Sequence, residues 1–299
     1  MLFFHLAGPI KLSLHRKERS IEPIEIASSL SKMNWSAITS PNGQPPSALT
    51  TGLAAFLTLL FLLNKIIPIF DAMTLSPQSM FNIGRLSNYP LAHLSFFHLF
   101  FNVISLMGPL NLFESQHGTV HTGVVLNLAA VITGLLYCLF GRLAYPDASV
   151  AGASGWCFTM FGYFGLKESA LHPRYHIPGS NFAFPTVLSP LVLLILISIF
   201  VPGVSFWGHF FALMVGYFIG SKEKVFRKIM PPSWIIQKIE EKAEPLIALI
   251  PSWVKFYREK DMTERDTQKY SSVFVAEDSL PLHNAPEPTR TGGRVLGTA

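Results

Sequence analysis

The sequence predicts an all-α membrane protein: a bundle of six transmembrane helices followed by a largely disordered cytosolic C-terminal tail. Three observations carry that expectation. Hydrophobic residues make up 49% of the chain and charged residues only 14%, with a mean hydropathy of +0.38, which lies outside the range of ordinary soluble domains. The apolar residues also gather into six runs, each near the roughly 20 residues that a helix needs to cross a bilayer core. Finally, beyond Asp261 the chain turns polar and loses the apolar content that a packed core requires.

Residues 1–33 are expected to form a cytosolic extension. Their opening patch, MLFFHLAG, is too short to span, and its positive charges (Lys11, Arg16, Lys17, Arg19) follow it, whereas a signal peptide carries them in front. Met33 offers an alternative start of translation. The membrane domain is assigned to residues 34–224. Its six segments are 49–67, 91–110, 118–140, 150–166, 185–201 and 204–220. An even number of crossings places both termini on one side, and the clusters Arg16/Lys17/Arg19 and Lys222/Lys224/Arg227/Lys228 mark that side as cytosolic. Arg85 and Arg142 fall on the opposite side and run against the rule.

Residues 225–260 mix Trp, Ile and Leu with Lys and Glu, which suits short amphipathic helices at the membrane surface, interrupted by Pro245 and Pro251. Residues 261–299 form the tail, which ends in TGGRVLGTA. The formal net charge of +5 sits outside the apolar runs, where it orients segments and meets lipid headgroups. No basic face with interleaved aromatics points to nucleic acid. Cys138 and Cys157 both lie inside apolar runs and read as small buried hydrophobes, and no cofactor or metal is implied.

The chemistry-bearing residues lie near the starts of segments two, four and six, which all run inward from the non-cytosolic face. His98, Ser154 and His209 are expected about 5 to 10 Å below the first residues of their segments, at one shared depth. Ionisable groups at such depths are costly and mark functional sites by default. Ser154, in VAGASGWCF, is the candidate nucleophile, and His209, in FWGHFF, is the candidate base that takes its proton. No carboxylate lies in either segment, so the pair reads as a dyad, with Phe158 four residues beyond Ser154 placed to pack on the imidazole.

His98 and Asn102, four apart, project from one helical face as candidate oxyanion donors, joined by backbone N–H groups around Ser154. His93 and His98, five apart, would diverge by roughly 140° if both were helical. That divergence argues against a zinc site, and the absence of a carboxylate relay argues against a transporter; both stay as minor alternatives. Gly152, Gly155, Gly162 and Gly165 in segment four, with Gly208, Ala212, Gly216 and Gly220 in segment six, allow the two helices to press together.

At these residues the chain resembles the rhomboid family of intramembrane serine proteases. The similarity rests on GASG around Ser154, on His93, His98 and Asn102 in the second segment, and on GHFFALMVG around His209, and it covers about residues 34–224. It implies Ser154 as nucleophile, His209 as general base, and an oxyanion hole of His98, Asn102 and the Ser154 N–H, with Gly152, Gly155 and Phe158 packing the site. It also implies single-span membrane proteins as substrates within the lipid bilayer. Phe158 stands where the family commonly has tyrosine, and Ala212 where it usually has glycine. PPSALTTGL and NLFESQHGTV look like the fungal Golgi-type rhomboids, which implies a Golgi or related endomembrane location. The terminal Gly292, Gly293, Arg294, Val295, Leu296 and Gly297 are similar to a motif that recruits the Cdc48/p97-type AAA ATPase. A non-catalytic adaptor that hands transmembrane segments to that ATPase is the alternative reading.

Overall fold

The computed structural model describes residues 45–177 and 181–262. The N-terminal extension, Met33 and the tail motif at 292–297 lie outside the described residues. Helices occupy all six apolar runs: α1 (Ala48–Leu63), α3 (Phe96–His117), α4 (Thr119–Ala144), α5 (Ser154–Leu171), α6 (Ser189–Phe200) and α7 (Phe206–Ser221), with a short α2 (Ile83–Asn88) between the first two. By length and composition α3 and α4 suffice to cross a membrane, while α1, α6 and α7 are apolar but shorter. α5 is buried at ten of its 18 residues and packs among α3, α4, α6 and α7.

Boundaries shift from the expected ones for local reasons. Ser95 caps α3 by accepting the His98 N–H at 3.1 Å, and Ser205 caps α7 by accepting the Gly208 N–H at 3.2 Å, so both helices begin later than their apolar runs. α3 then continues to His117, and the chain reverses into α4 through the single residue Gly118, whose φ of +93° suits glycine alone.

The 64–95 connection is a structured cap rather than a loose loop. It contains α2 and 3₁₀ turns at Phe70–Ala72, Pro77–Ser79 and Tyr89–Leu91. Leu75 pairs with Val150 in an antiparallel bridge, which ties this cap to the stretch just before α5. Between α5 and α6, β1 (Arg174–His176) pairs antiparallel with β2 (Ala183–Pro185).

At the opposite end of the bundle, the buried Glu114 carboxylate accepts from the N–H groups of Leu49 and Thr50 and from the hydroxyls of Thr50 and Thr119, each at 2.8 Å. A carboxylate placed there satisfies orphan donors of the first turn of α1 and the favourable end of its dipole. Beyond α7 come α8 (Glu223–Ile229) and α9 (Ser233–Ile247). Pro245 does not interrupt the latter: it lies inside its last turn. The chain after α9 then returns under the bundle. The Lys255 carbonyl accepts the Ala48 N–H and the Tyr257 carbonyl accepts the Thr119 N–H, both at 2.9 Å.

Candidate active site

α5 and α7 meet backbone to backbone. A Cβ on Gly216 would lie 2.1 Å from the Thr159 carbonyl oxygen, and one on Gly162 would lie 2.5 Å from that of Leu213. Thr159 Oγ1 donates across this seam to the Ala212 carbonyl at 3.2 Å. Within the glycine stripe expected to bring the helices together, Gly162 and Gly216 are the closest points, and a Cβ on Gly220 would lie 3.4 Å from the Tyr163 carbonyl oxygen. Gly165 instead faces Pro190 of α6, and at Gly155 a Cβ would meet nothing nearer than Tyr89 Oη at 3.7 Å. Ala212, fully buried, does not hold the helices apart.

That seam sets Ser154, the first residue of α5, beside His209, one turn into α7. Ser154 Oγ and His209 Nε2 are 2.8 Å apart. The imidazole is buried and stacks on Phe158, with ring centroids 4.6 Å apart and 25° between planes. His209 Nδ1 has no hydrogen-bond partner among the described residues, so the ring is oriented by an aromatic face rather than by a carboxylate. His98, Ser154 and His209 all lie at the starts of their helices. With the helices starting at Phe96, Ser154 and Phe206, they sit on the first turn, within about 5 Å of the helix ends.

Gly152 brings the remaining donors in. Its φ is +105°, and a Cβ there would lie 2.5 Å from both Cε1 and Nε2 of His98 and 3.3 Å from Asn102 Nδ2. His98 and Asn102 therefore crowd the backbone two residues before the serine. Asn102 Nδ2 is buried and donates to nothing among the described residues. The Ser154 N–H, at the first position of a helix with no side-chain cap, is likewise free of an intrahelical acceptor. A cavity of about 550 Å³ runs over these groups, walled by Phe97, Phe101, Phe161, Ile197 and Val201.

Two further residues hold the site, His93, whose expected divergence from His98 is not found, and Tyr89, which the sequence does not single out. His93 lies outside α3, so the helical-wheel argument that it diverges from His98 does not apply: the two rings are 5.1 Å apart. Its Nε2 accepts the Ala153 N–H at 3.2 Å and its Nδ1 faces the Leu91 carbonyl at 3.2 Å. Both ring nitrogens are thereby engaged, which removes His93 as a free ligand on different grounds from those expected. No group of three or more His, Cys, Asp or Glu among the described residues is placed to hold a metal. Tyr89 is the second: its carbonyl accepts the Gly152 N–H at 2.9 Å while its hydroxyl donates to the Ala130 carbonyl at 3.2 Å. The Gly-Ala-Ser stretch is thus held from two sides.

Comparison with known proteins gives this arrangement a lineage. Residues 81–223 match the model of the Rhomboid domain. The chain is 52% identical over 269 residues to Rhomboid-type serine protease 2 of Saccharomyces cerevisiae, an alignment covering 89% of this chain and 100% of that protein. The chain belongs to the rhomboid family. The proteins of the same name in Kluyveromyces lactis (48% over 273 residues) and Eremothecium gossypii (45% over 267 residues) are again covered in full, with 89% of this chain aligned to each. This rhomboid is accordingly an integral membrane protein and a serine protease by class.

Proposed function

We propose that this rhomboid is an endopeptidase that cuts transmembrane segments with a Ser154–His209 dyad. The observation that carries the proposal is the 2.8 Å contact between Ser154 Oγ and His209 Nε2. His209 takes the hydroxyl proton as Ser154 Oγ bonds to the scissile carbonyl carbon, and the imidazolium returns that proton to the leaving amine. The developing oxyanion is met by the Ser154 N–H, Asn102 Nδ2 and the His98 ring. Water then attacks the acyl-enzyme with His209 again as base. Phe158 holds the ring in place but, being apolar, offers no acceptor to Nδ1.

A transmembrane helix hides its own carbonyls in i to i−4 bonds, so the substrate must unwind near the helix ends before Ser154 can reach one. Substrates with helix-weakening residues beside a small residue at the cut fit this demand. The reading is tested by a serine-directed phosphonate probe and by cleavage of a reporter transmembrane substrate. Labelling and cleavage are expected to vanish in Ser154→Ala and His209→Ala, and retained cleavage in Ser154→Ala would overturn it.

The domain layout proposed with this function is six membrane crossings within residues 34–224, both termini on the cytosolic side, and an interfacial segment over 225–260, in a Golgi or related endomembrane. Glycosylation reporters fused at each terminus check it: modification of either one places that terminus on the luminal side and refutes the orientation. The terminal GGRVLG stretch is proposed to recruit a Cdc48/p97-type ATPase. Loss of co-purification on removing those residues, with phosphonate labelling unchanged, is the expected outcome, and unchanged co-purification would refute it.

A further inference from the structure

The C-terminal helices carry a surface that the protease reading leaves unused. In α9 the buried residues Ile236 and Glu240 face the bundle. At 100° per residue, Trp234, Lys238, Lys242, Leu246 and Ile239 occupy one outward arc of roughly 140°, while Gln237, Glu241 and Glu244 fall on the opposite flank. The arc is exposed and apolar despite its lysines: Trp234 is 58% exposed and Leu246 70%. Its Lys238 ammonium lies 5.0 Å from the Trp234 ring centroid, a placement that keeps the charge at the edge of the apolar surface.

α8 repeats the pattern in small. Val225 and Ile229, one turn apart, are exposed, and each is preceded directly by a lysine, Lys224 and Lys228.

The charges of this region do not balance on its surface. Glu240 is buried and accepts the Glu259 N–H at 2.9 Å, Glu244 is bound bidentately by Arg258, and Glu223 pairs with Lys167, which leaves Glu241, on the opposite flank of α9, as the exposed carboxylate of α8 and α9 in no ion pair among the described residues. Lys222, Lys224, Lys228, Lys238 and Lys242 are in no ion pair among the described residues. An apolar strip edged by uncompensated lysines matches one kind of partner, a lipid surface whose acyl chains take the strip and whose headgroups bear negative charge.

We infer that the outward flank of α8 and α9 is a docking surface for the anionic phospholipids of the leaflet at that end of the bundle. This rests on the proposed interfacial placement of residues 225–260 and adds the lipid charge class and the residues that select it.

The test uses the full-length protein reconstituted in phosphatidylcholine vesicles containing phosphatidylserine, followed by native mass spectrometry of the lipids it retains. Phosphatidylserine is expected to be retained over phosphatidylcholine by on the order of tenfold, with the preference falling as salt rises. Replacing Lys222, Lys224, Lys228, Lys238 and Lys242 by Gln is expected to bring the two lipids to equal retention while Ser154 still takes the phosphonate probe. Should that variant fail to fold, Lys238→Gln with Lys242→Gln alone is expected to lower the preference severalfold. Equal retention by the wild-type protein, or an unchanged preference in a folded lysine variant, overturns the inference. Absence of probe labelling in the wild-type protein would instead strike the protease reading and leave the lipid result standing.

Discussion

Replacing Gly152 by alanine tests the site where it is tightest. The residue stands at φ +105°, outside the left-handed well that other residues occasionally visit, which alone costs about 1–3 kcal/mol. The new Cβ would sit 2.5 Å from His98 Cε1 and Nε2, whereas ordinary contact begins at 3.4 Å, so the ring must retreat by about 1 Å. Asn102 Nδ2, at 3.3 Å, must give a few tenths of an ångström more. A displacement of that size at a proposed oxyanion donor is expected to lower kcat/KM by roughly 10²–10³-fold. The assay is cleavage of a reporter transmembrane substrate in proteoliposomes, with melting temperature followed in parallel. Gly155→Ala is the control, because its Cβ would find only ordinary contacts, and it should keep cleavage within a few-fold of wild type. Full cleavage by Gly152→Ala, or an equal loss in Gly155→Ala, would refute the idea that Gly152 is there to admit His98 and Asn102.

Asn102→Ala should lower kcat by about 10²–10³-fold with the fold intact, and phosphonate labelling should slow in step. His93→Ala strips the Ala153 N–H of its acceptor. As His93 acts through the backbone rather than on substrate, kcat should drop with KM little changed, and His93→Asn, which keeps an acceptor, should recover part of it; a change confined to KM would argue against the positioning role. Gly216→Ala drives a Cβ to 2.1 Å from the Thr159 carbonyl. It should cost about 1–3 kcal/mol of stability or more, seen as a lower melting temperature together with lost activity. At the exposed Glu244, the Arg258 guanidinium holds the carboxyl below the usual carboxylate range. The sign follows: a depressed folded pKa stabilises above the unfolded value and is lost as pH falls through the folded one. Glu244→Gln should therefore flatten the acid limb of the melting curve slightly and change nothing at neutral pH beyond a small uniform loss.

The six apolar runs could be read because burial in lipid demands length and composition that few other structures need. The approach of Ser154 to His209 follows a similar logic, since isolated polar groups in apolar helices are costly unless they find one another. The helix starts depart from the ends of the hydrophobic runs because Ser95 and Ser205, whose capping preference is itself a sequence signal, set them. His93 was misread for the same reason: the wheel assumed a helix through a residue that lies before the cap. The 64–95 connection and its grip on Gly152 were beyond reach, because Tyr89 and Leu75 act through backbone groups that any residue type possesses. The close seam was legible as a stripe of small residues, but only the three-dimensional path shows that Gly162 and Gly216 carry it and Gly155 does not.

The strand-like return of the chain under the bundle has a consequence for how the molecule is made. Ala48 N–H and Thr119 N–H, at the starts of α1 and α4, wait for the carbonyls of Lys255 and Tyr257. During synthesis the first helix leaves the ribosome some two hundred residues before its last partner exists. A product stopped just past residue 223, where the match to the rhomboid domain ends, would hold every group of the proposed catalytic centre and still lack the clasp that closes its opposite face. Such a truncated chain should reach the membrane yet remain prone to proteolytic nicking until the missing segment is supplied.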